Sequence, residues 1–94
     1  MIYVKIHKDV IALCDENIIG KTFEDEKRRI EVSERFYKGE LVDEEEVVEI
    51  LKEGKNMNLV GNKVIEIALK IGVAEKKDII VIGEVKHVQI YSVE

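Results

Sequence analysis

The sequence predicts an α+β (mixed α/β) domain of two layers, a mixed sheet of about five to six strands with two helices inserted before the last two strands. Three observations carry that expectation. Apolar and polar residues alternate at period two at the start of the chain and again near its end, the signature of half-buried strands. In the region of residues 43–72 the apolar period becomes helical and is bounded by capping residues. Residues 79–82, Ile-Ile-Val-Ile, form an unbroken β-branched run, too short for a helix and typical of a strand buried on both faces. That run is expected to be the centre of the sheet.

Taken in order, Ile2, Val4 and Ile6 alternate with Tyr3, Lys5 and His7, which predicts a first strand with one buried face. Lys8 and Asp9 are short and polar enough for a two-residue hairpin turn, and residues 10–14 read as a second, mostly apolar strand. Cys14 shares a face with Val10 and Ala12, so a buried, unreactive thiol is expected. Asp15, Glu16 and Asn17 should turn the chain into a short strand or extended loop anchored by Ile18, Ile19 and Phe23. Gly20-Lys21-Thr22 matches the end of a phosphate-binding loop, but the glycine required five positions earlier is Asp15, a carboxylate where phosphate would sit. That reading is rejected. Ile30 and Val32 mark a further strand, and residues 36–40 a turn.

The clearest local code lies at Asp43. It can cap a helix over residues 44–53, with Glu46 at the reciprocal capping-box position and Val42 stapled to Val47. The acids of the first turn complement the helix dipole, so they are not read as a metal site. Val47, Val48, Ile50 and Leu51 supply the buried stripe, and Gly54 a C-cap. Asn58 is expected to cap a second helix carrying Val60, Val64, Ile67, Ala68 and Ile71 at helical spacing, closed by Gly72. Gly61 in its first turn lowers helix propensity, so something packs close to that backbone: a neighbouring strand, or a ligand anion at the helix N-terminus. The last strand places Val85, His87, Gln89, Tyr91 and Val93 on one face and Lys86, Val88, Ile90 and Ser92 on the other.

At 94 residues the chain suits one domain, residues 1–94, burying roughly 65% of its unfolded surface. With 46% hydrophobic and 37% charged residues it is globular rather than disordered. Abundant Lys and Glu, with Gln89 the one glutamine, resemble the balance of thermophile proteins. A net charge of −5 argues against unselective nucleic-acid binding. The single cysteine excludes an intrachain disulfide, and no leader or apolar 18-residue span appears. A cytoplasmic chain with no membrane association is the expectation.

Two sets of residues are candidates for function. Arg28, Arg29 and Arg35, with Phe36 and Tyr37, offer guanidinium groups and rings of the kind that stack on bases and grip phosphate. The competing account is a salt-bridged exposed hairpin, since residues 21–40 hold six acids and six bases. His87, Gln89 and Tyr91 put an imidazole, a carboxamide and a phenol in a row on one strand face, which either finds hydrogen bonds inside the fold or meets a ligand. Asn58, Gly61 and Asn62 would complete a polar pocket there. No metal-ligand spacing and no nucleophile motif appears, and no cofactor is called for.

With Ile19-Gly20-Lys21, Phe36-Tyr37-Lys38-Gly39, Asn58-Leu59-Val60-Gly61 and His87-Val88-Gln89, the chain resembles a family of small conserved archaeal proteins of unknown function, over nearly its whole length. The resemblance implies an α/β domain and an archaeal source, and assigns no residue a role. The functional expectation is a small binding module associated with RNA or ribonucleoprotein. Its competitors are a protein–protein adaptor or homodimer through an edge strand, and a small enzyme with a polar pocket around His87 and Asn58.

Overall fold

The computed structural model describes residues 1–92. Val93, placed on the His87 face by alternation, lies outside the described residues. Strands β1 (Ile2–Ile6) and β2 (Ile11–Asp15) form the expected hairpin, closed by the His7 amide donating to the Val10 carbonyl at 2.9 Å around Lys8 and Asp9. The chain then leaves the sheet. A short 3₁₀ turn leads to β3 (Thr22–Glu24) and β4 (Arg29–Glu31), a two-stranded sheet of its own. Helix α1 (Glu34–Tyr37) follows, capped by the Ser33 hydroxyl, and then β5 (Glu40–Val42). Neither α1 nor β5 stands out in the sequence. Each is three or four residues long, below the length at which periodicity is readable.

Helix α2 (Glu44–Leu51) starts where its capping code places it, with Asp43 Oδ1 accepting from the Glu46 amide at 3.0 Å. Its buried residues are Val47 and Leu51. The next element corrects the sequence reading. Asn58 caps no helix, because Met57–Val60 is a strand, β6, buried at every position. Helix α3 (Asn62–Lys70) begins after Gly61, and β7 (Ile80–Ile82) and β8 (Val85–Ile90) complete the chain.

The main sheet has six strands in the order β5-β1-β2-β6-β8-β7. The β2–β6 pair is parallel and the other pairings are antiparallel. A parallel neighbour needs a long crossover, and residues 16–56 supply it. The expected centre is therefore misplaced: β2 and β6 are central, while the Ile80–Ile82 run is an edge strand with Ile80 38% and Val81 52% exposed. An apolar run reports a strand and not its position in the sheet. The asparagine in β6 broke the apolar signal at the true centre.

Helices α2 and α3 cover one face, over a core that includes Val4, Leu13, Leu51, Met57, Leu59, Ile65 and Val88. The mixed six-stranded sheet with two helices ahead of its last two strands is thus as predicted. On the other face a smaller core joins Ala12, Cys14, Val32, Tyr37, Val60 and Val85, covered by the β3–β4 hairpin and α1. The hairpin is pinned at its turn by Asp25, whose carboxylate accepts from the amides of Lys27, Arg28 and Gly83 at 2.9–3.1 Å. Among the described residues no helix is long and apolar enough to cross a membrane.

Candidate binding surface

The close approach at Gly61 has an internal cause. Gly61 has φ +122°, and a Cβ there would lie 2.4 Å from the Asp15 carboxyl carbon. Asp15, 8% exposed at the end of β2, accepts from the Lys63 amide at 2.8 Å and the Val64 amide at 2.9 Å. The helix N-terminus thus takes its anion from the neighbouring strand, satisfying two otherwise unpaired amides. Asn62 is also committed to the fold, donating to the Glu84 carbonyl at 3.3 Å and accepting from the Lys86 amide at 3.0 Å.

Strand register places the remaining candidates. Lys5, Ala12, Asn58 and Gln89 form one row across the sheet on the face opposite α2 and α3. At about 4.8 Å per strand, Lys5 and Gln89 lie roughly 14 Å apart. Asn58 is buried beneath α1, where its Oδ1 accepts the Tyr37 hydroxyl at 2.6 Å. Burial pushes that phenol above its ordinary range, with Cys14 adding to the effect. The same burial, helped by the Asp15 charge, raises the Cys14 thiol to about 12, matching the unreactive thiol expected. Tyr37 and Asn58 therefore hold α1 on the sheet. His87 is half-buried, and its Nδ1, 2.9 Å from the Leu59 carbonyl oxygen, must be the protonated nitrogen because a carbonyl only accepts. Gln89 and Tyr91 are exposed and bonded to each other, the phenol donating to the amide oxygen.

The three arginines do not form one patch. Arg28 and Arg29 lie at the β3–β4 turn, beside the turn between β7 and β8, and Arg28 helps hold the Asp25 carboxyl below its ordinary range. Arg35 sits at the opposite end of the sheet, where its carbonyl accepts Lys5 Nζ at 2.6 Å. There His7 stacks on Phe36 with ring centroids 4.5 Å apart, and His7 Nε2 donates to the Phe36 carbonyl at 2.8 Å. Tyr37 packs edge-on against Phe36. Lys5, His7, Ser33, Arg35 and Phe36 line one shallow hollow of about 460 Å³. No arginine takes part in an ion pair among the described residues, so the salt-bridged hairpin does not account for them.

Charge is distributed just as unevenly. The span of residues 43–53 holds six acids and one lysine, which equals the whole net charge of −5. The rest of the chain is neutral, and α2 lies on the far side of the sheet from the hollow. Lys5 and His7 were missed as site residues, although the Tyr3-Lys5-His7 face of the first strand was visible as a polar row. What the sequence lacked was the pairing that brings Arg35 and Phe36, some 30 residues on, to that row.

Over residues 4–93 the chain matches the family described as a protein of unknown function, DUF424. It belongs to that family. It is also similar to a solved structure, the crystal structure of an uncharacterized conserved protein from Methanopyrus kandleri. The two are 25% identical, with a TM-score of 0.73 over 98% of this chain and 90% of that one. No curated protein matches it. The expected resemblance to a small conserved family of unknown function therefore holds over nearly the whole chain.

Proposed function

We propose that the protein is a binding module that grips single-stranded RNA on the sheet face opposite α2. The observation that carries this reading is the hollow at the end of β1, where Lys5 and Arg35 flank the stacked His7–Phe36 pair. Cations beside half-exposed rings suit a chain of phosphates and unpaired bases. The acidic balance is no obstacle, because all of it resides on α2 and the neighbouring turns. Gln89 and Tyr91 lie on the same face three strands away and extend the surface with a hydrogen-bonding amide and a second ring.

Titration of unstructured RNA into the full chain at low salt tests the reading. Binding is expected to fall as salt rises, because each phosphate contact releases counterions. Lys5→Ala with Arg35→Ala should abolish it, while Arg28→Ala with Arg29→Ala should leave most of it. Absence of binding by the wild type, or equal binding by the Lys5/Arg35 variant, removes RNA from this surface.

A further inference from the structure

The geometry points to a second docking surface, on the α2 side, for an extended basic segment of another protein with an apolar residue at its centre. Ile6, the last residue of β1, is 77% exposed although it is a large β-branched residue in a strand. Strand β5 pairs with β1 only from Ile2 to Val4, opposite Val42 to Glu40. Among the described residues Ile6 therefore has no cross-strand neighbour on that side. The hydrogen bond from the His7 amide to the Val10 carbonyl fixes the alternation along β1, so the amide and carbonyl of Ile6 point away from β2, toward the open edge. An unpaired edge of this kind accepts an added strand.

The side chain of Ile6 forms the floor of two adjoining hollows. One, of about 350 Å³, runs between Ile6, Val42 and Ile50 with Glu40 and Glu46 at its rim. The other, of about 650 Å³, continues past Ile6 into a mixed-charge region, where Lys8 and Asp9 line it and Glu53 pairs with Lys55 at 3.9 Å. Glu40 of β5 and Glu46 of α2 thus stand over an apolar floor beside an open strand edge, with Glu46 in the 43–53 segment whose excess of acids equals the net charge of the chain. Charge complementarity selects the occupant: an extended segment whose apolar side chain rests on Ile6 and Ile50 and whose flanking lysines or arginines meet Glu40 and Glu46. The site is separate from the proposed RNA surface, which lies on the opposite face of the sheet.

The test uses the full chain and two capped synthetic peptides, Lys-Lys-Ile-Lys-Lys and its charge-reversed counterpart Glu-Glu-Ile-Glu-Glu, followed by amide chemical shifts. The basic peptide should bind saturably, weaken as salt rises, and shift the amides of Ile6, Val42 and Ile50. Ile6→Ser should weaken it about tenfold, as should Glu40→Gln with Glu46→Gln, each with an unchanged unfolding midpoint, while Glu26→Gln on the opposite layer should not. Equal binding of the acidic peptide, full binding by Ile6→Ser, shifts confined to the Lys5–Arg35 hollow, or no binding would each overturn the proposal. Sedimentation of the free chain decides against a rival occupant. A dimer that Ile6→Ser dissociates would mean that a second copy covers the groove, and would equally overturn it.

Discussion

A carboxylate recruited from 48 residues away decides how α3 begins. Asp15 lies against Gly61, and its two oxygens each take one of the first amides of the helix. Asp43 caps α2 from the adjacent position and is exposed. Removing an N-cap costs about 0.5–2 kcal/mol. Denaturant unfolding should therefore place Asp15→Ala at the upper end of that range and Asp43→Ala near its middle, with Glu45→Ala below both. A neutral Asp15→Ala would mean that the Lys63 and Val64 amides find other partners. Asp25 acts differently. Its carboxyl is held below the ordinary range, first by the Lys27 amide and then by those of Gly83 and Arg28. A group whose pKa is lowered by folding contributes stability above its unfolded pKa, about 3.9, and loses it as pH falls through the lower folded value. Unfolding midpoints should show wild type exceeding Asp25→Asn at neutral pH, with the gap closing below about pH 4. A gap that persists at pH 2 would remove the linkage.

Strands of similar composition do unequal work in this sheet. In β6, Leu59 is fully buried between two neighbouring strands and beneath the helices. In β7, Val81 is an edge residue half open to solvent. Leu59→Ala should cost about 2–5 kcal/mol, the range for truncating a buried leucine, and Val81→Ala about 0.5 kcal/mol or less. Thermal or denaturant unfolding of the two variants checks the ranking, and a reversed order would restore residues 79–82 to the centre. Both edge strands, β5 and β7, are three residues long, which limits the unpaired backbone each offers to another chain. At the β7 end the Asp25 carboxylate also occupies the Gly83 amide. The open position on the other side, at Ile6, is the one with an apolar floor and an acidic rim.

Across the whole molecule the sheet separates two electrostatic worlds. Residues 43–53 carry the net acidity, and the opposite face carries Lys5, His7 and Arg35, which have no carboxylate partner among the described residues. Stacked layers lie about 10 Å apart, comparable to the screening length at about 0.1 M salt. Neutralising Glu45 and Glu49 by Gln substitution should therefore change RNA affinity by less than about twofold at 0.15 M salt. The same pair should strengthen binding when salt is lowered to about 0.01 M, where the screening length is about 30 Å. Equal effects at both salt concentrations would mean that α2 and the RNA surface are not electrostatically separate.

By itself the sequence determined what depends on near neighbours. The alternation of residues 2–7 and 85–92, the two-residue turn at Lys8 and Asp9, the capping of α2 by Asp43 and the buried Cys14 were all legible, because each rests on contacts within a few positions or on one strand's periodicity. The mixed sheet with two helices ahead of its last two strands followed from those elements. Tertiary structure alone decided which apolar run is central, since burial from both sides belongs to the strand that acquires two neighbours, and Asn58 hides that strand in the sequence. It decided that Asp15 rather than a ligand fills the N-terminus of α3. It also parted Arg35 from Arg28 and Arg29 and set it beside Lys5 and His7. Pairing across the sheet is chosen by the fit of whole surfaces, and no short stretch of chain contains its own partner.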